Sequence, residues 1–320
     1  MSLFRNLVWF AKGMREYTKS GYQSASKSFN SLDLEVPCNG KVYMVTGANS
    51  GIGKVIAQEV AKKGGTVHMV CRNKERAVAA KQEIIENTGN ENVEVHVVDM
   101  SEPKQVYRFA KDFVESHDVL NVLVNNAGCM INERELNSDG IEKNFAVNTL
   151  SVHILTTLLV PLLSKSVEPR VVTVSSGGML VQKLNVNDLQ FQSMIPFDGT
   201  MAYAQNKRQQ VIMTEKYAEK YPGVHFSCMH PGWADTPGVR TSMPAFFERM
   251  KNRLRTAEEG ADTAVWLAVS HAALKHASGM FYQDRKPVST HLPLAWTKAS
   301  AAEEDILMNT LDEMMEQFKC

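Results

Sequence analysis

The sequence predicts an α/β fold: a doubly wound parallel sheet with helices on both faces, in a single domain. Two observations predict it. Short β-branched runs alternate with helical stretches after the first 40 residues, and the first of these runs ends in a glycine-rich turn that opens a helix. Six runs read as strands, at 41–46, 66–71, 93–98, 121–124, 170–175 and 224–229. Each is apolar along its length, as a strand must be when helices cover both of its faces. No internal repeat or low-complexity linker interrupts them. Residues 40–290 therefore read as one domain, preceded by an amphipathic extension at 1–39 and followed by a helical tail at 291–320.

The chain has 320 residues, 44% of them hydrophobic, which is enough to bury a substantial core without staples. Its 35 basic residues balance 35 acidic ones, so charge gives no reason to expect nucleic acid as a partner. The five cysteines (Cys38, Cys71, Cys129, Cys228, Cys320) include no Cys-x-x-Cys pair, which argues against both a disulfide framework and a zinc site. The nine histidines show no metal-ligand spacing, and no metal is expected. No apolar run approaches the roughly 20 residues that span a bilayer. Arg5, Lys12 and Arg15 interrupt the N-terminal segment too early for a secretory signal. The expected location is intracellular, on the cytosolic face and not secreted.

Residues 1–22 place Leu3, Leu7, Phe10 and Met14 at helical spacing, while Arg5, Lys12, Arg15 and Lys19 add positive charge opposed only by Glu16. Such a basic amphipathic helix suits peripheral contact with an anionic membrane, a targeting role, or simple packing on the body. The stretch 301–319, with Ile306, Leu307, Leu311, Met314, Met315 and Phe318, reads as a second amphipathic helix.

After the first strand comes Thr46-Gly47-Ala48-Asn49-Ser50-Gly51-Ile52-Gly53, then a helix-forming segment from Lys54. Glycines there let the backbone turn tightly, approach a pyrophosphate closely and aim helix N-terminal N–H groups at its charge. The second strand ends about 20 residues past the turn, where an acid would hold the ribose 2′-hydroxyl of NAD. This chain has Arg72 and Asn73 there. A guanidinium forms charge-assisted bonds with a 2′-phosphate, so NADP(H) is expected over NAD(H).

Further along, Tyr203 and Lys207 are four residues apart and share a face if the segment is helical. Ser175 and Ser176 end the fifth strand, and alternate pointing turns only one of them toward a substrate. Between the fifth strand and Tyr203 lie the apolar residues Leu180, Val181, Phe191, Met194, Ile195 and Phe197, and Met243, Phe246 and Phe247 come later. They suit an apolar carbonyl substrate or the packing of an insertion onto the body.

The glycine spacing Gly47-x-x-x-Gly51-x-Gly53, Asn125-Asn126-Ala127-Gly128 after the fourth strand, and Asn148, Ser176, Tyr203 and Lys207 in that order resemble the short-chain dehydrogenase/reductase family. The resemblance covers about residues 40–285, and Asn187-Asp188-Leu189-Gln190 is similar to its retinol-dehydrogenase-like branch. It implies a Rossmann fold and an oxidoreductase of CH–OH groups, often a homo-oligomer, that interconverts a carbonyl and an alcohol. It also implies site roles. Asp99 would lie beside the adenine; Asn126, Ala127 and Gly128 would admit the nucleotide; Pro231, Gly232 and Thr236 would meet the nicotinamide carboxamide.

For catalysis, the resemblance makes Tyr203 the acid/base. A phenol's ordinary pKa near 10 would be lowered by Lys207 and by an oxidised nicotinamide ring. Ser176, favoured over Ser175 by family register, would hold the substrate oxygen. Lys207 would also hold the nicotinamide ribose, and Asn148 would position water for a proton relay. A lipid aldehyde, retinoid or steroid would suit such a site. A regulator that keeps the fold and cofactor but turns over weakly is the rival function, and the complete Asn, Ser, Tyr, Lys set favours the enzyme.

Overall fold

The structure is a computed structural model that describes residues 3–319. Met1 and Ser2 of the predicted extension, and Cys320 of the predicted tail, lie outside the described residues. Two helices come first, α1 (Leu3–Glu16) and α2 (Lys19–Ser26). The repeating units follow as β1 (Val42–Thr46), α3 (Gly51–Lys62), β2 (Thr66–Cys71), α4 (Lys74–Thr88), β3 (Val93–Val97), α5 (Pro103–Ser116) and β4 (Val122–Asn125).

A helical run over Lys143–Leu163 comes next. Its first turn is α6 (Lys143–Phe145), a π-helical turn occupies Ala146–Leu150, and α7 (Ser151–Leu163) completes it. Then come β5 (Arg170–Val174), α8 (Gly199–Lys220), β6 (His225–Met229), α9 (Pro237–Ser242), α10 (Pro244–Met250), α11 (Ala257–Val269), β7 (Met280–Gln283), β8 (Lys286–Pro287) and α12 (Ala301–Glu316).

The strands form one sheet in the order β3-β2-β1-β4-β5-β6-β7-β8, parallel except for the β7–β8 pair. All six predicted strands are present within a residue or so at each end; burial on both faces leaves the interior strands little choice of state, while β3, at the sheet edge, is not apolar along its length and leaves Glu94 and Val97 exposed. Alternation along β1 divides the core. Met44 packs with Phe113, Leu155 and Ile212 under α5, α7 and α8, while Tyr43 and Val45 pack with Ile56, Ile84 and Trp266 under α3, α4 and α11. The strand order reverses between β1 and β4, and it is beyond the C-terminal ends of strands at such a switch point that these sheets bind ligands.

The N-terminal segment departs from the single helix expected over 1–22. It breaks at Tyr17–Thr18, because tertiary partners take the carbonyls that a longer helix would use. Trp233 N–H donates to the Tyr17 carbonyl at 2.8 Å. The buried Arg255 donates to the carbonyls of Glu16 at 2.6 Å, Tyr17 at 3.1 Å and Thr18 at 3.4 Å. Thr18 then caps α2 by accepting from Gly21 N–H. The C-terminal helix α12 forms as expected, opened by a Ser300–Glu303 capping box and docked through buried Leu307 and Leu311. Contrary to the expectation that no apolar run is long enough to span a bilayer, the run Lys143–Leu163 is long and apolar enough to do so, but 78% of its 18-residue apolar window is buried inside the body, where it serves as a core helix.

Candidate active site

At the C-terminal end of β1 the glycine turn is built around close approaches. Gly47 adopts φ +66°, and a Cβ there would lie 3.0 Å from Ala127 Cα. A Cβ on Gly53 would run into Asn126 Nδ2 and the Gly47 carbonyl. Asn126 fixes this geometry by donating from Nδ2 to the Thr46 carbonyl at 2.9 Å, while Thr46 Oγ1 accepts from the N–H of Asn126 at 3.0 Å and of Ala127 at 2.9 Å. Ser50 precedes α3 but makes no side-chain cap, so no side chain of its own occupies the N-terminus of that helix. A bare helix N-terminus beside a cradle that any Cβ would fill fits a nucleotide pyrophosphate. Ile52 lies in the first turn of α3, packed near Gly260 of α11. Gly51 adopts φ +53°, and a Cβ there would lie 3.4 Å from Thr236 Cγ2, so the turn after β1 meets the loop after β6.

At the end of β2, Arg72 is exposed and available to a 2′-phosphate. Cys71 beside it is tied to the backbone of Ala48 and Asn49, which keeps Arg72 next to the glycine turn. Two expected contacts have local roles as well. Asn73 Oδ1 caps α4 by accepting from Arg76 N–H at 2.7 Å, and Asp99 Oδ1 accepts from both N–H and Oγ of Ser101 at 2.8 Å.

Beyond β5 the structure separates the two serines. Ser175 is buried, and its hydroxyl donates to the Lys207 carbonyl at 2.9 Å. Ser176 forms the hydrogen bond to Tyr203 and also accepts from Gly178 N–H at 3.2 Å. Tyr203 and Lys207 share a face of α8, with Lys207 Nζ 5.3 Å from the Tyr203 ring centroid. Burial pushes the Tyr203 phenol up to about 12, against the Ser176 hydrogen bond, which lowers it. Burial also pulls the Lys207 ammonium down to about 8. Lys207 Nζ donates to the Val174 carbonyl at 2.9 Å and to Gln210 Oε1 at 3.1 Å.

Asn148 sits in the π-helical turn, a deformation that recurs at functional sites. Its Oδ1 accepts from Cys129 N–H at 3.0 Å and its Nδ2 donates to the Cys129 carbonyl at 2.8 Å, clamping the loop that leaves Gly128. Its own carbonyl accepts from Gln210 Nε2 at 2.7 Å. Asn148, Lys207 and Gln210 therefore form one buried network. Gln210 was not apparent from the sequence, although its place one turn beyond Lys207 is a usable signal. After β6, Pro231 is half-buried and Gly232 adopts φ +77° directly against the Arg255 guanidinium, where any Cβ would collide. Thr236 caps α9, its Oγ1 accepting from Val239 N–H at 3.3 Å.

The predicted insertion divides by role. Leu180, Val181 and Phe191 are core residues, and Met194 and Phe197 pack partly against the same body. Phe246 and Phe247 instead gather around Trp233, together with Trp9 and Met14 of α1.

The sheet order, the glycine turn and the Ser176–Tyr203–Lys207 arrangement define a nucleotide-dependent oxidoreductase architecture. A family model described as short chain dehydrogenase matches residues 41–188, and with the full-length likeness below, the chain belongs to the short-chain dehydrogenase/reductase family. It is 61% identical over 319 residues, all of both chains, to the human protein called Dehydrogenase/reductase SDR family member 12. It is 33% identical to human Retinol dehydrogenase 11, covering 85% of this chain and 84% of that one. Among solved structures, the RhlG/NADP active-site complex of Pseudomonas aeruginosa matches with a TM-score of 0.62 and 23% identity, covering 77% of this chain and 94% of that chain.

Proposed function

We propose that the protein is an NADP(H)-dependent oxidoreductase that interconverts a carbonyl and an alcohol on an apolar small molecule. The observation that carries the proposal is the Ser176–Tyr203 hydrogen bond with Lys207 Nζ beside the same ring, next to the glycine cradle. Gly47 and Asn49 shape the turn, the Gly47 N–H going to the Val70 carbonyl at 2.8 Å, while the N–H groups of Ser50, Gly51, Ile52 and Gly53 hold the pyrophosphate and Arg72 pairs with the 2′-phosphate. When bound, the cofactor supplies or accepts the hydride. Tyr203, a phenol raised to about 12, is protonated at neutral pH and gives its proton to the substrate oxygen during reduction. Ser176 holds that oxygen as charge develops on it. Lys207 and Asn148 keep the proton path ordered through Gln210. The aromatic group around Trp233 and the retinol dehydrogenase relatives favour an apolar aldehyde, retinoid or steroid.

Purified protein titrated with NADPH, then assayed for NADPH oxidation with medium-chain aldehydes, retinal and ketosteroids, tests the proposal. Tyr203→Phe abolishes turnover and spares NADPH binding. Tight binding without turnover on any carbonyl replaces the enzyme with the weakly active regulator, and no binding overturns both.

A second proposal concerns membrane contact. With α1 anchored on the body, Leu3, Phe4, Leu7 and Phe10 remain exposed along it, Leu3 at 75% and Leu7 at 61%. Flanked by the cations Lys12, Arg15 and Lys19, this stripe suits the interface of an anionic bilayer. Flotation with phosphatidylserine vesicles falls on Leu7→Glu/Phe10→Glu, and equal flotation sinks the idea.

A further inference from the structure

The outer edge of the sheet, away from the glycine turn and Tyr203, carries a second group of polar side chains. The β2–β3 register sets Glu94 opposite His68, and His96 follows two residues on along the same face of β3. The end of α5 brings His117 onto this face, stacked on Phe113 at 3.8 Å between centroids and edge-on to His68 at 5.0 Å. His68 Nδ1 lies 2.9 Å from His96 Nε2 and 3.7 Å from Glu94 Oε2. One ligand atom each from His68, Glu94 and His117 lie within 4.8 Å of one another.

Two features go beyond an aromatic packing cluster. A nitrogen-to-nitrogen hydrogen bond between His68 and His96 requires one of those nitrogens to be bare, so at least one imidazole is neutral with a lone pair facing the cluster. His117 Nδ1 lies 3.0 Å from the Phe113 carbonyl, which can only accept. The Nδ1–H is therefore donated there, which leaves Nε2 as the ring nitrogen turned to a ligand. A second ring nitrogen bound to a backbone carbonyl is the support that metal-ligating histidines characteristically have.

We propose that His68, Glu94 and His117 bind a divalent cation of the zinc class, with water completing its coordination. Imidazoles with one carboxylate suit Zn²⁺, Ni²⁺ or Cu²⁺ over Mg²⁺ or Ca²⁺. Tetrahedral zinc, with bonds of about 2.0–2.2 Å, sets its ligand atoms roughly 3.3 Å apart. The His68 Nδ1–Glu94 Oε2 distance of 3.7 Å is close to that value, and the His117 ligand atom, within 4.8 Å of both, closes the site by moving inward. The proton now shared by His68 and His96 moves to the far nitrogen of its own ring, a tautomer change that neither releases nor consumes a proton. The bound ion would join β2, the edge strand β3 and the end of α5.

The experiment uses full-length protein freed of metal with a chelator, titrated with CoCl₂ as an absorbing probe and then with ZnCl₂. The expected result is one saturable cobalt site with visible d–d bands, displaced by zinc, and a thermal midpoint that rises with zinc. His117→Gln and Glu94→Gln, both at accessible positions, each weaken binding by about tenfold or more and lose the thermal shift. Absence of saturable binding overturns the proposal. So does cobalt that binds both variants as tightly as wild type, which assigns the ion to other residues. His68→Asn is a third variant, read only if its circular dichroism matches wild type.

Discussion

Arg255→Met tests what joins the N-terminal segment to the body. Arg255 is buried at 1% exposure and pairs with Asp284, itself buried, at 2.6 Å from Nη1 to Oδ1 and 3.0 Å from Nη2 to Oδ2. The same guanidinium serves the carbonyls of Glu16, Tyr17 and Thr18. Methionine keeps the stem and removes every donor, which leaves Asp284 as a buried uncompensated charge. Breaking a buried pair from one side costs about 3–5 kcal/mol. At about 2 °C per kcal/mol for a large domain, the thermal midpoint falls by roughly 6 °C or more. The loss is also local: amide exchange in α1 speeds up, and trypsin cuts at Arg15 and Lys19 before the body unfolds. Arg255→Met/Asp284→Asn recovers part of the loss, because the stranded charge is gone. A single variant melting within about 1 °C of wild type, with α1 still protected, refutes the reasoning.

Three further outcomes are expected. Arg72→Glu removes a charge-assisted contact worth about 1.5–3 kcal/mol, so NADPH binds roughly 10- to 150-fold more weakly while NADH changes little; equal losses in a fluorescence titration refute the phosphate contact. Burial, with the charges of Arg170 and His276, lowers His225 to about 4, so it is neutral when folded and charged when unfolded below its ordinary 6.5. Its contribution is intact above pH 6.5 and is lost as pH falls toward 4, a fall in thermal midpoint that His225→Asn flattens. Burial raises Cys71 to about 11 and Cys129 and Cys228 to about 12, so these thiols, with Cys38 also raised, resist iodoacetamide at pH 7.5 in native protein; mass spectrometry finding Cys129 alkylated first contradicts this.

The sheet was legible because its signal is local. Runs such as Val122–Asn125 and Arg170–Val174 are buried along their whole length, and the glycines announce their turn by chain position. What escaped depends on partners distant in sequence. The break at Tyr17 is made by Arg255, 238 residues away, and no periodicity in residues 1–22 encodes it. Alternation restricted Ser175 and Ser176 to one inward hydroxyl, but only the Tyr203 contact distinguishes them. Leu180, Val181 and Phe191 have the composition of a substrate wall and are core instead, because apolar character does not specify which apolar surface a residue meets. The cluster of His68, Glu94 and His117 combines two strands and a helix end, a spacing that no linear ligand motif describes.

The residue after Ser176 links the N-terminal helix to the chemistry. Gly177 N–H donates to His230 Nδ1 at 2.8 Å, and its carbonyl accepts from Trp9 Nε1 at 2.7 Å. Burial first, then the charges of Arg255 and Lys12, hold His230 well below its ordinary pKa, so the ring is neutral and keeps the acceptor that Gly177 needs. The Gly177 N–H and carbonyl belong to the two peptide planes on either side of its Cα, and holding both with side chains restricts the backbone next to Ser176, and with it the direction of the hydroxyl bonded to Tyr203. A Cβ on Gly177 would lie 2.8 Å from His230 Nε2 and 3.0 Å from the Tyr17 ring, so the turn has no room to relax. Trp9→Phe keeps an aromatic ring and removes only the donor, leaving the Gly177 carbonyl without its partner at a cost of about 1–3 kcal/mol. Turnover should fall while NADPH affinity stays at the wild-type value, because the nucleotide cradle is built from β1, α3 and β4 and makes no use of Trp9. Unchanged turnover in Trp9→Phe would mean that the Ser176 turn holds its shape without α1, and that the helix serves only packing or the membrane.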